Sequence, residues 1–177
     1  MPSSADPRPA AASAAAGPPR HRIERPARFA HCYGCGPDNP HGLAIEYFRD
    51  GDAVVATFVP AAEHGGYGLL LHGGITSAVI DETFGWTIYG LLGRIGMTTE
   101  LSIKFMAPLY CNEPIHVKGT LLESSEQTAT VNVEVIFEGR VAASGVGRMR
   151  FASLRAIERI GGFKTGYGTL PGPALRR

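Results

Sequence analysis

The chain has 177 residues, 44% of them apolar, with 17 basic against 16 acidic side chains and a formal net charge of +1. That length suits one well-cored domain rather than two, and the balanced charge offers no broad basic field to a nucleic-acid backbone. No stretch approaches the roughly 18 consecutive apolar residues of a membrane span, and the three cysteines of a chain with room for a core fit a reducing cytoplasm better than a disulfide-stapled secreted scaffold.

Residues 1–20 hold seven Ala and five Pro and lack the apolar stretch of a secretory signal, so they bury too little surface to fold. Residues 1–27 are accordingly expected as a disordered tail and 28–151 as the folded domain. The domain opens on a loop-like stretch, 28–40, carrying His31, Cys32 and Cys35 among the breakers Gly34, Gly36, Pro37, Asn39 and Pro40. Leu43, Ile45 and Tyr47 then alternate with other residues, and Asp50-Gly51 turns the chain back into Val54, Val55, Thr57, Phe58 and Val59, which predicts a β-hairpin.

A glycine-rich connection with His64, Gly65, Gly66, Tyr67 and Gly68 leads to His72-Gly73-Gly74, and helical periodicity follows over 74–92. At about 100° per residue, Ile80, Phe84, Ile88, Leu91 and Leu92 share one arc of roughly 120°. Strands are expected over 97–105, 115–122, 129–137 and 141–151, separated by Pro108, Pro114, Ser124-Ser125 and Glu138-Gly139. One long helix with an antiparallel sheet curled around it is an α+β plan. Residues 152–177 are expected as a surface extension.

Asp81 is the most informative single residue, because the helical projection sets it between Ile88 and Leu92, inside the apolar arc. A carboxylate there calls for either a structural partner or a chemical task. Glu82 falls about 100° away on the side of Trp86 and Tyr89, where an acid is cheaper to solvate. The glycines of His72-Gly73-Gly74 either make a tight helix start or let a ligand reach the free N–H groups at the positive end of the helix dipole. Such donors can hold an oxyanion. Gly73 and Asp81 are eight residues apart, and at about 1.5 Å per residue the helix separates them by about 12 Å. If both act on one carbonyl, one of them belongs to a second copy of the chain.

The run Leu71-His72-Gly73-Gly74-Ile75-Thr76-Ser77-Ala78-Val79-Ile80-Asp81 and the strand Met97-Thr98-Thr99-Glu100-Leu101-Ser102-Ile103-Lys104-Phe105 with its following Pro108 resemble the hotdog-fold acyl-CoA thioesterases of the PaaI-like group. The resemblance covers about 42–151 and implies an antiparallel sheet wrapped around a central helix. It further implies hydrolysis of an acyl-CoA or acyl-carrier-protein thioester, by a homodimer or dimer of dimers and without a metal or separate cofactor. Asp81 would act as base or nucleophile and the Gly73 N–H would polarise the thioester carbonyl from the partner subunit. His72 would position substrate or the helix start, and Thr98 would assist Asp81, with Thr99 as the fallback on the other strand face. Substrate contacts are assigned to Gly74, Thr99, His64 and Lys104. His64 enters because many relatives carry a polar residue where this chain has Gly66, and Lys104 enters as a phosphate contact whose alternative is a solvated surface lysine.

Phe84, Trp86 and Tyr89 are expected either in the acyl pocket or in core and interface packing. Cys32 and Cys35 have metal or redox spacing, but with no second cysteine pair they are expected to serve packing. A non-catalytic acyl-CoA-binding protein on the same fold is the competing function, and a dehydratase of a related branch would need an Asp and His pairing that the chain does not carry.

Overall fold

The computed structural model describes residues 20–153, 155, 156 and 159. Residues 1–19 and nearly all of the expected C-terminal extension lie outside the described residues. The elements are β1 His21–Arg22, β2 Phe48–Asp50, β3 Ala53–Phe58, α1 Gly73–Leu92, β4 Gly96–Phe105, β5 Ile115–Ser124, β6 Thr128–Phe137 and β7 Arg140–Phe151, with short 3-10 turns at Ala27–Phe29 and Ala62–His64. All strands pair antiparallel in one sheet of order β1-β2-β3-β5-β6-β7-β4. One long helix lies against a seven-stranded antiparallel sheet, which is the expected architecture.

The helix packs on β2, β3, β4, β5, β6 and β7. Val131, Val133 and Val135 of β6, Ile115 and Val117 of β5 and Val79, Ile80, Phe84 and Ile88 of α1 are fully buried between the layers. Alternation along β6 and β7 sends every second side chain inward. Two inward positions on β7 are glycines for a steric reason: a Cβ at Gly145 would lie 2.4 Å from Ile80 and one at Gly147 2.3 Å from Phe84. Two fully buried helix side chains, Ile80 and Phe84, thus seat directly on the β7 backbone.

Three departures from the sequence reading have physical causes. The sheet begins before residue 28, because His21 and Arg22 pair with Arg49 and Phe48 and Arg20 bonds Asp50 at 3.1 Å. Residues 43–47 alternate in burial but form no strand. Their backbone groups bond the 30–42 loop and the residue after β1 instead, through Leu43 N–H to the Tyr33 carbonyl (2.7 Å), Ile45 N–H to Gly34 (3.0 Å) and Ile23 N–H to Tyr47 (3.0 Å). The third concerns Asp81, which is exposed rather than packed in the apolar arc.

The arc itself is wider than the aliphatic side chains suggest, since Thr76, Thr83 and Thr87 are buried in its middle. Thr83 and Thr87 donate to the carbonyls of Val79 and Thr83, each at 2.7 Å, which satisfies their hydroxyls inside the core. The eight buried helix residues, Val79 and Trp86 among them, centre near Thr87, and Asp81 falls about 120° from that centre, at the rim of the buried face.

The helix ends at Gly93, in the left-handed region at φ 64°, with its N–H bonded to the Tyr89 carbonyl. Gly93→Ala is therefore expected to cost about 1–2 kcal/mol, read as a lower denaturant midpoint at unchanged slope.

Candidate active site

Asp81 sits in the third turn of α1, and Thr98 faces it from β4. Thr98 Oγ1 donates to Asp81 Oδ1 at 2.7 Å, leaving the second carboxylate oxygen, Oδ2, without a partner among the described residues. Both residues line a cleft of about 570 Å³ whose other walls include Phe29, Cys32, Cys35, Glu82, Trp86, Tyr89, Met97 and Met149. That volume falls within the range of small-molecule sites. β4 carries a bulge between Thr98 and Glu100, so Thr99 is the extra residue and turns its hydroxyl to the Arg148 carbonyl at 3.0 Å. Thr99 is thereby committed to its own sheet and does not approach Asp81.

A second group forms at the helix N-terminus. His72 caps α1, its Nδ1 accepting from the Gly74 N–H at 2.9 Å, and its carbonyl accepts from Ile75 and Thr76 at 2.9 and 3.1 Å. Gly74, expected as a substrate contact, has its N–H occupied by that cap. The Gly73 N–H has no acceptor among the described residues, and the nearest side chain to its Cα face is the Phe105 ring. Gly66 lies against the His72 ring, where a Cβ would meet Cδ2 at 3.3 Å. His64 Nδ1 accepts from the Ala61 N–H at 3.1 Å, and the His64 carbonyl accepts from the His72 N–H at 3.0 Å. The structure thus gathers His64, His72, Gly73 and Gly74 at one end of α1 and Asp81 with Thr98 two turns further on. Lys104 stands apart, exposed on β4 opposite Ser144.

Glu82 reverses its expected setting. It is half-buried, accepts from the Trp86 indole N–H at 2.9 Å and faces the Cys32 thiol at 3.6–3.7 Å. The 30–42 loop covers that side of the helix so closely that a Cβ on Gly34 would lie 2.4 Å from the Glu82 carboxyl carbon. Arg25 anchors the loop by donating to the Cys35 carbonyl. The hydrogen bond from the Cys35 thiol, opposed by burial and by the Glu82 charge, brings the Cys32 thiol down to about 7. Cys35, which holds the shared proton in a buried position, is pushed up.

The aromatic residues divide. Phe84 is wholly in the core, whereas Trp86 and Tyr89 line the cleft, with Trp86 stacked on Tyr47 at 5.2 Å and edge-on to Tyr89 at 5.8 Å. Glu82 and the cysteines were not expected at this cleft. The Cys-x-x-Cys spacing was the available signal, but only the return of the loop over the helix brings Glu82 to it.

Against known proteins, residues 69–143 match the model of the thioesterase superfamily. No curated protein sequence matches significantly. Among solved structures, a thioesterase superfamily protein is 22% identical with a TM-score of 0.62, over 68% of this chain and 63% of that one, so the shared region spans less than two thirds of that relative. The PaaI protein of the E. coli phenylacetic acid degradation operon is 18% identical with a TM-score of 0.58, over 63% of this chain and 81% of that one. A hypothetical thioesterase from Streptococcus pneumoniae, solved with coenzyme A, is 22% identical with a TM-score of 0.54, over 58% of this chain and 80% of that one. At these identities the likeness is one of fold, the hotdog arrangement of one helix on an antiparallel sheet.

Proposed function

We propose that this chain, a hotdog-fold protein whose residues 69–143 match the model of the thioesterase superfamily, hydrolyses an acyl-CoA or acyl-carrier-protein thioester. The observation that carries the reading is the Asp81 carboxylate, open on a cleft of about 570 Å³ and held at one oxygen by Thr98. With Oδ1 fixed, Oδ2 is presented to a substrate or a water in the cleft. It can take the proton of an attacking water or attack the carbonyl itself. The Gly73 N–H, left open by the His72 cap and reinforced by the helix dipole, supplies a donor for the oxygen that gains charge in the tetrahedral intermediate. His72 acts by holding the helix start rather than by touching the reacting carbon.

Asp81 and Gly73 belong to one continuous helix, so the rise of about 1.5 Å per residue keeps them about 12 Å apart. A shared carbonyl therefore lies between the Asp81 of one copy and the Gly73 of another. The open edge supports such pairing: β4 ends the sheet with Met97, Leu101 and Phe105, followed by Met106, exposed. An unpaired strand edge with apolar side chains invites a second chain. Lys104 on the same strand is suited to meet a coenzyme phosphate.

The test is thiol release from short, medium, long and aromatic acyl-CoAs. Cleavage of at least one class at a rate above buffer is the expected result. Saturable acyl-CoA binding without release of thiol would instead make the chain a binding protein on this fold.

A further inference from the structure

Cys32, Cys35 and Glu82 converge although they come from different parts of the chain. Their ligand atoms all lie within 4.8 Å of one another, and all three residues line the cleft. We infer that these three side chains form a site for a zinc-class divalent ion, with the fourth coordination position open to the cleft.

Metric fit is the first argument. A tetrahedral zinc with bonds of about 2.3 Å to sulfur and about 2.1 Å to oxygen sets such a pair about 3.6 Å apart, and Cys32 Sγ lies 3.6 Å from Glu82 Oε2. Donor chemistry is the second, since two thiolates and one carboxylate select zinc over magnesium or calcium. The two cysteines are three positions apart in sequence, a spacing that recurs in zinc sites.

The surroundings act as a support for the ligands. Both Glu82 oxygens lie 3.6–3.7 Å from Cys32 Sγ, and the Trp86 N–H engages Oε1 at 2.9 Å, which leaves Oε2 open as the ligand atom of a hydrogen-bonded carboxylate. A Cβ on Gly34, between the cysteines, would collide with the Glu82 carboxylate, so at this position the loop is shaped around that group. Arg25 fixes the loop at the Cys35 carbonyl. Glu82 makes no ion pair among the described residues; an ion here neutralises a half-buried carboxylate and ties the 30–42 loop to α1. Metal uptake releases the thiol protons to solvent. Three protein ligands and one exchangeable position describe a reactive rather than a closed site. The assignment stands independently of the hydrolase reading.

The test uses the full-length chain, reduced with a phosphine and stripped by a chelator, then titrated with cobalt(II) and afterwards zinc(II). A thiolate-to-cobalt charge-transfer band that saturates at equimolar metal and is displaced by zinc is expected. Cys32→Ser should abolish the band, and Glu82→Gln, nearly isosteric, should retain a thiolate band but weaken binding by at least about tenfold. Trp86→Phe should weaken it by about 10- to 100-fold through the loss of carboxylate orientation. Circular dichroism checks that each variant is folded. Absence of the band in the folded wild-type chain overturns the site, as does binding that persists unchanged in Cys32→Ser. Binding unaffected by Glu82→Gln overturns the role of the carboxylate.

Discussion

On the proposed function, Asp81→Asn is expected to lower thioester hydrolysis by at least about two orders of magnitude, the scale on which loss of a general base or carboxylate nucleophile acts. The substitution preserves shape and keeps an oxygen able to accept the 2.7 Å hydrogen bond from Thr98, so the fold and the local contact survive while the basicity is removed. Because Asp81 is exposed at the rim of the helix face, its replacement by a neutral amide disturbs no packed layer, and thermal stability should move by no more than about 0.5 kcal/mol. The check is initial-rate thiol release with wild type and variant at equal oligomeric size. A fully active Asp81→Asn chain removes the carboxylate from the mechanism.

Gly73→Pro produces the second large effect, a loss of about 10²- to 10³-fold in kcat, as expected for deletion of one oxyanion donor. Proline replaces the N–H by a ring carbon, and the first position of a helix is where that is tolerated. Gly73 is the first residue of α1, where proline is favoured, and the preceding His72 already has the extended conformation that proline demands, at φ −63° and ψ 132°. Gly73→Ala is the control, since it keeps the N–H and its Cβ makes only an ordinary 3.8 Å contact with the Phe105 ring. An activity loss in the proline variant but not in the alanine variant identifies the N–H itself.

Legibility of this molecule from its sequence divides along the same physical lines. The helix and strands β4 to β7 were visible to within a residue or two because each is long, has one dominant period and is bounded by Gly, Pro or Ser. The segment 43–47 showed the strand period, yet its backbone partners lie in a loop that no local pattern announces. Asp81 was picked out by its place in the aliphatic arc, and that reason was wrong. Val79 and Trp86, buried on the far side of Ile80, widen the face away from Asp81, with Thr83 and Thr87 fitting between them by bonding the preceding turn, and Asp81 is left at its edge. The pairing of Thr98 with Asp81 was expected from the resemblance and is the contact observed, whereas the setting of Glu82 depends on a loop crossing the helix from about fifty residues upstream. That crossing is not a property of the residues nearby in sequence.

The central claim is that one thioester is handled by Asp81 of one copy and Gly73 of another, and mixing inactive chains tests it most directly. In a mixed dimer of Asp81→Asn and Gly73→Pro chains, one site carries both lesions and the other carries neither. Random equal mixing then restores about a quarter of wild-type activity, because about half the dimers are mixed and each has one intact site. If both groups served the same carbonyl from one chain, every site would keep a lesion. Mixtures no more active than the separate variants would contradict the account.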